Sequence, residues 1–213
     1  LLSWWSAGQV PRRSASVQSA GPVNHGSAWN LLRAPGMKRL LFVNWLLSAC
    51  WDVHTFAVPV LGHELGFSAS TIGLILGTFT LSVSLVRLAI PLLMHRVRGV
   101  TVVRVAMVGT GLVFGLYPLA HSPWLMGACA VLLGITLGCV QPMIMSTLHD
   151  ITPNGRHGES LALRSMAINL SSSLMPLVFG AVGLALGASA LFWLVGSAVA
   201  SGSWAARRLG ART

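Results

Sequence analysis

Asp52 is the residue whose setting most invites chemistry. It lies in a largely apolar run from Leu40 to Leu61. On a helix advancing about 100° per residue, Asn44, Ser48, Asp52, Thr55 and Pro59 fall within one arc of about 80°, bordered by Trp45 and Trp51. A carboxyl group there is costly to leave against hydrocarbon. It belongs in a protein interior or a water-filled cavity, where it can take up and release a proton. His54 stands two residues on, about 120° from the centre of the arc. Imidazole titrates near pH 6.5, which suits a proton relay, while the position off the polar arc suits packing. Proton coupling is therefore expected of Asp52, with His54 as a second candidate.

Other chemistries lack their residues. Cys50, Cys129 and Cys139 each sit inside an apolar run, and no C-x-x-C or H-E-x-x-H spacing occurs, so neither a disulfide framework nor a metal site is expected. No cofactor is expected either. An intramembrane hydrolase needs a serine beside a histidine within the membrane. Ser160 and His149 lie near the edge of their runs, and Gly158-Glu159-Ser160-Leu161 is not a G-x-S-x-G elbow, so no enzymatic activity is expected.

The elements that must position these residues follow from composition. The 213 residues include 14 Lys+Arg and 4 Asp+Glu, for a net charge of +10; 54% are apolar and 8% charged. A soluble domain carries about a quarter charged residues, so a soluble enzyme and a disordered chain are both excluded. The basic residues are parcelled out between apolar runs and gather on no solvated face, so no nucleic-acid partner is expected. The chain reads as an all-α membrane protein with six transmembrane helices at roughly 40–61, 71–94, 100–120, 123–147, 160–184 and 188–206. Each is long enough to cross about 30 Å of hydrocarbon. Turn-forming residues mark the joints: Gly66-Phe67-Ser68, Arg98-Gly99, His121-Ser122-Pro123, Thr152-Pro153-Asn154-Gly155 and Gly187-Ala188-Ser189. Leu1–Trp5 reads as the interfacial end of a preceding helix, and residues 6–39 as a cytoplasmic linker containing a short interfacial helix at Ala28–Arg33. Residues 207–213 read as a cytoplasmic tail.

Charge sets the expected orientation. Arg12, Arg13, Arg33, Lys38 and Arg39 precede the first span, and Arg87, Arg96, Arg98 and Arg104 lie at or near the joint between the second and third. Arg156 and Arg164 flank the fourth-to-fifth joint, and Arg207, Arg208 and Arg212 follow the sixth span. The alternate joints, around 62–70, 120–123 and 185–189, carry no Lys or Arg. The positive-inside rule then puts both termini in the cytoplasm, with the basic loops against anionic lipids of the bilayer. A bacterial cytoplasmic (inner) membrane is the expected location. Asp150 and Glu159 read as surface partners of Arg156 and Arg164, and Arg87 as a side chain snorkelling to the interface.

Two further spans carry stripes. Ser165, Asn169, Ser172, Ser173, Pro176 and Gly180 share a face of the fifth, opposite Leu170, Leu174 and Leu177; Gly134, Gly138, Gln141 and Pro142 cluster on the fourth. Asn44, Ser48, Trp51, Thr55, Gln141, Asn169, Ser172 and Ser173 are the candidate lining of a substrate cavity. Pro59, Gly134, Gly138, Pro142, Pro176 and Gly180 are candidates for close packing or bending. Few cations are expected inside the membrane, which argues against a dianionic substrate.

This order of features resembles helices seven to twelve, the carboxy-terminal half, of a major facilitator superfamily transporter, over about residues 40–206. Phe67-Ser68-Ala69-Ser70-Thr71-Ile72-Gly73 looks like the start of that family's helix eight. Arg87 through Gly99 (RLAIPLLMHRVRG) resembles its basic signature loop, with Arg87, His95, Arg96 and Arg98 as gating candidates. It departs from the pattern at His95, where an Asp is usual, and at Pro91, where a glycine is usual. Gly134 to Gly138 with Pro142, then Arg156, Gly158, Leu163, Asn169 and Pro176, look like helices ten and eleven. The resemblance implies a half bundle of two inverted three-helix repeats, substrate held near the midplane, and alternating access against an amino-terminal six-helix half. It implies secondary transport of a small molecule, to which the setting of Asp52 adds the expectation of proton coupling. The alternative is a complete six-helix protein starting at Met37 (Met-Lys-Arg-Leu-Leu-Phe) and working as a homodimer.

Overall fold

The computed structural model describes residues 28–93 and 99–207. Leu1–Trp5, the linker as far as residue 27, His95, Arg96, Arg98 and residues 208–213 lie outside the described residues. A short 3-10 helix, Ala28–Arg33, leads into six α-helices. These are α1 (Met37–Glu64), α2 (Ala69–Leu93), α3 (Gly99–Leu116), α4 (Pro123–Ile151), α5 (His157–Leu186) and α6 (Ala188–Arg207), with a 3-10 turn, Tyr117–Leu119, finishing α3. Five of them are long and apolar enough to cross a membrane; the apolar stretch of α6, Ala188–Ser203, is shorter.

The ends are set by local chemistry. Gly36, Gly66, Gly155 and Gly187 hold φ between 76° and 88° at four joints, a conformation that costs glycine nothing. Ser122 caps α4 by accepting from the Leu125 amide at 3.3 Å, and Pro123 fills the first helical position, where its missing N–H is harmless. Ser68 caps α2 in the same way, accepting from the Thr71 amide at 3.2 Å. Helix continues past the apolar runs, so α1 takes Lys38 and Arg39 into its first turn and α4 reaches Ile151.

Packing is interleaved rather than sequential. α1 lies against α5, α6 and α4, while α2 lies on α4, and α3 on α4 and α6. Glycines permit two of these seams. A methyl group on Gly134 would stand 2.7 Å from the Phe79 carbonyl oxygen and 2.7 Å from Ser82 Cβ, and one on Gly138 would stand 3.1 Å from Val86 Cβ. Gly111 and Gly196 bring α3 and α6 together in the same manner. Gly73, Gly77 and Gly180, by contrast, face open space. A buried aromatic cluster joins the end of α3 to the start of α6: Tyr117 stacks on Phe192 at 4.8 Å, and Phe114 meets Phe192 at 5.7 Å. α2 and α5 turn much of their surface outward, with Leu81, Leu85 and Leu88 exposed on one and Leu170, Leu174 and Leu177 on the other.

Candidate functional site

The polar arc of α1 opens onto a cavity of about 240 Å³ between α1, α2, α4 and α5. Asn44, Ser48, Trp51 and Asp52 line it from α1, Arg87 from α2, Gln141 from α4, and Ile168 and Ser172 from α5. Pro59, Pro142 and Pro176 interrupt α1, α4 and α5. Each lacks an N–H, which leaves the carbonyls of Thr55, Gly138 and Ser172 without their usual helical donor.

Asp52 accepts from the hydroxyl of Ser171 at 3.3 Å and from that of Ser172 at 3.3 and 3.4 Å. Among the described residues no cation pairs with it. Trp51 meets Phe79 edge-on at 4.8 Å and carries the Arg87 guanidinium over its ring at 5.8 Å. Arg87, of which snorkelling is expected, is exposed and also lines the cavity beside Trp51.

His54 points the other way. It is fully buried against Phe79 at 4.1 Å, its Nδ1 lies 3.2 Å from the Tyr117 hydroxyl, and its Nε2 has no partner among the described residues. Thr55 donates to the Trp51 carbonyl at 3.0 Å and is exposed. Asn169 and Ser173 are also exposed and do not line the cavity. Ser160 donates to the His157 carbonyl at 2.9 Å.

Arg164 departs from its expected surface pairing. Arg156 does pair with Glu159, at 2.5 and 3.1 Å, but Arg164 is only 8% exposed and reaches in among three helices. Its Nε donates to Asn44 Oδ1 at 3.2 Å and its Nη2 donates to Gln141 Oε1. The reason is the register of α5. Arg164, Ile168, Ser171, Met175 and Phe179 recur at helical spacing, and all are buried or half-buried. That face lies beside the Ser165–Asn169–Ser172–Pro176 stripe, which is exposed, Ser172 also lining the cavity. The spacing alone could have found this second face, with Arg164 at its head and Ser171 at its middle.

No curated protein matches the chain. The family model for the Major Facilitator Superfamily matches residues 40–211. With an all-helical bundle and an intramembrane polar cavity to go with that match, the chain belongs to the Major Facilitator Superfamily of membrane transporters.

Proposed function

We propose that the chain forms the carboxy-terminal bundle of a proton-coupled secondary transporter, which moves a small molecule by alternating access. Asp52 is the coupling group in this reading, and both ends of the bundle face the cytoplasm. The observation that carries it is the company Asp52 keeps. A carboxyl group serving only to hold helices together would gain most from a fixed cation, whereas this one has two serine hydroxyls and an open cavity. A hydroxyl can donate to a carboxylate or accept from a carboxylic acid, so the same partners serve both protonation states. The outward stripe of α5, with Asn169 and Ser173, would complete the substrate path against the other six-helix half. In vesicles from cells expressing the gene at its full encoded length, Asp52→Asn should abolish transport driven by a proton gradient. Insertion and substrate exchange at equal concentrations should continue. Undiminished proton-driven transport by the variant would refute the assignment.

A further inference from the structure

We infer that the groove between α3 and α6, on the outer side of the bundle, binds one anionic phospholipid, its phosphate at Arg104 and an acyl chain along the groove. The inference stands apart from the transport reading and asks only that the bundle sit in a bilayer. Val108, Gly111 and Gly115 line the groove from α3, and Trp193, Gly196 and Ala200 from α6, around a volume of about 280 Å³. The two helices touch at its floor: a methyl group on Gly111 would stand 3.0 Å from the Gly196 carbonyl oxygen and 3.0 Å from Ala200 Cβ. One turn on, Gly115 meets nothing within 4 Å, while Val108 and Trp193 stand exposed. From Val108 to Gly115 the groove follows α3 for about 10 Å. In a bilayer, acyl chains lie against such a trough, and their apolar contact alone does not favour one lipid over another. Selection has to come from a headgroup.

Arg104 supplies it. It stands one turn before Val108, about 6 Å nearer the start of α3, and helical spacing keeps it on the arc of Val108, Gly111 and Gly115. It is half-buried, and among the described residues it has no hydrogen-bond or ion-pair partner. Neither α3 nor α6 contains an Asp or Glu. A guanidinium with five donors, unpaired at the end of an apolar groove, matches a phosphodiester carried on an apolar tail. The rival occupant is a second copy of the chain. A two-fold dimer centred on the groove would set two Arg104 side chains facing each other at one depth, with no carboxylate on either helix to separate them. Charge complementarity therefore favours the lipid.

Dioleoyl phosphatidylglycerol and dioleoyl phosphatidylcholine share their chains and differ in net charge. Native mass spectrometry of the full-length encoded protein, purified in neutral detergent, counts how many of each are retained. One phosphatidylglycerol should bind saturably, at least about fivefold more tightly than phosphatidylcholine, the worth of one basic side chain against an anionic lipid. Arg104→Gln should retain one phosphatidylglycerol fewer. Arg33→Gln, which removes an exposed cation from the short 3-10 helix instead, should retain as many as the parent. Gly115→Leu fills the trough where an added side chain meets no neighbour, so it spares the fold, keeps Arg104 and should weaken both lipids. Equal affinity for the two lipids, an unchanged count in Arg104→Gln, or an equal loss in Arg33→Gln would overturn the inference. So would binding that ignores Gly115→Leu, which would leave only attraction at the surface. A doubled protein mass that Gly115→Leu abolishes would also overturn it, giving the groove to a second copy.

Discussion

The bonds of Arg164 tie α5 to α1 and α4, and the cost of losing them follows from burial. Its guanidinium belongs to a residue only 8% exposed; Nε donates to Asn44 Oδ1 at 3.2 Å and Nη2 donates to Gln141 Oε1. Arg164→Met keeps most of the stem's length and removes both donors. Gln141 lines the cavity, where water can replace the lost partner, whereas Asn44 is enclosed and its oxygen is left unsatisfied. One buried polar group without a partner costs about 1–3 kcal/mol. Thermal unfolding in neutral detergent should therefore place the Arg164→Met midpoint several degrees below the parent's. Asn44→Leu removes the acceptor instead, so each single variant strands one member of the pair while the double variant strands neither, and the two losses should not add. A midpoint for Arg164→Met equal to the parent's, or single losses that add in full in the double variant, would refute the reasoning.

Two other expectations concern the frame. Gly134→Ala forces a methyl group to 2.7 Å from α2, an overpacking cost of about 1–3 kcal/mol, and should lower the thermal unfolding midpoint in detergent by several degrees. Gly180→Ala, which meets nothing within 4 Å, should leave the midpoint unchanged; equal midpoints for the two variants would show that the α2–α4 seam is not close-packed. For orientation, a membrane-impermeant maleimide applied to intact cells should label Ser68→Cys and spare Asn154→Cys, and labelling of Asn154→Cys alone would invert the charge-based assignment.

The helices themselves were legible because an apolar run of membrane length leaves the backbone little choice but to bond within itself. The joints were legible because Gly66, Gly155 and Gly187 are needed where φ turns positive. On α1 the periodicity alone places Asn44, Ser48 and Asp52 on one face, and all three line the same cavity. The reading was weaker on α5 for a physical reason. That helix sets an exposed polar stripe beside a mostly apolar face carrying Arg164 and Ser171, and attention to the stripe passed over the face that is buried. Counting Arg164 among the loop charges hid it, because a basic residue two turns inside a helix can equally snorkel outward or turn inward to amide partners. The partner contributed by α1, Asn44, is more than a hundred residues away in sequence, a pairing that no local pattern reports.

The interleaving of the helices has a consequence for biogenesis. Helices leave the ribosome in order, yet α1 rests chiefly on α5 and α6, which are synthesised last. Until α5 is inserted, Asn44 and Gln141 have no guanidinium to receive and Asp52 has no serine donors. A nascent chain stalled after α4 therefore holds a carboxyl group and two amides against lipid, where unpaired polar groups are expensive. Such an intermediate is a natural client for membrane chaperones and a natural substrate for quality-control proteases. The insertion of α5 is the step that removes both liabilities together, so it marks the point at which translation commits the chain to its bundle.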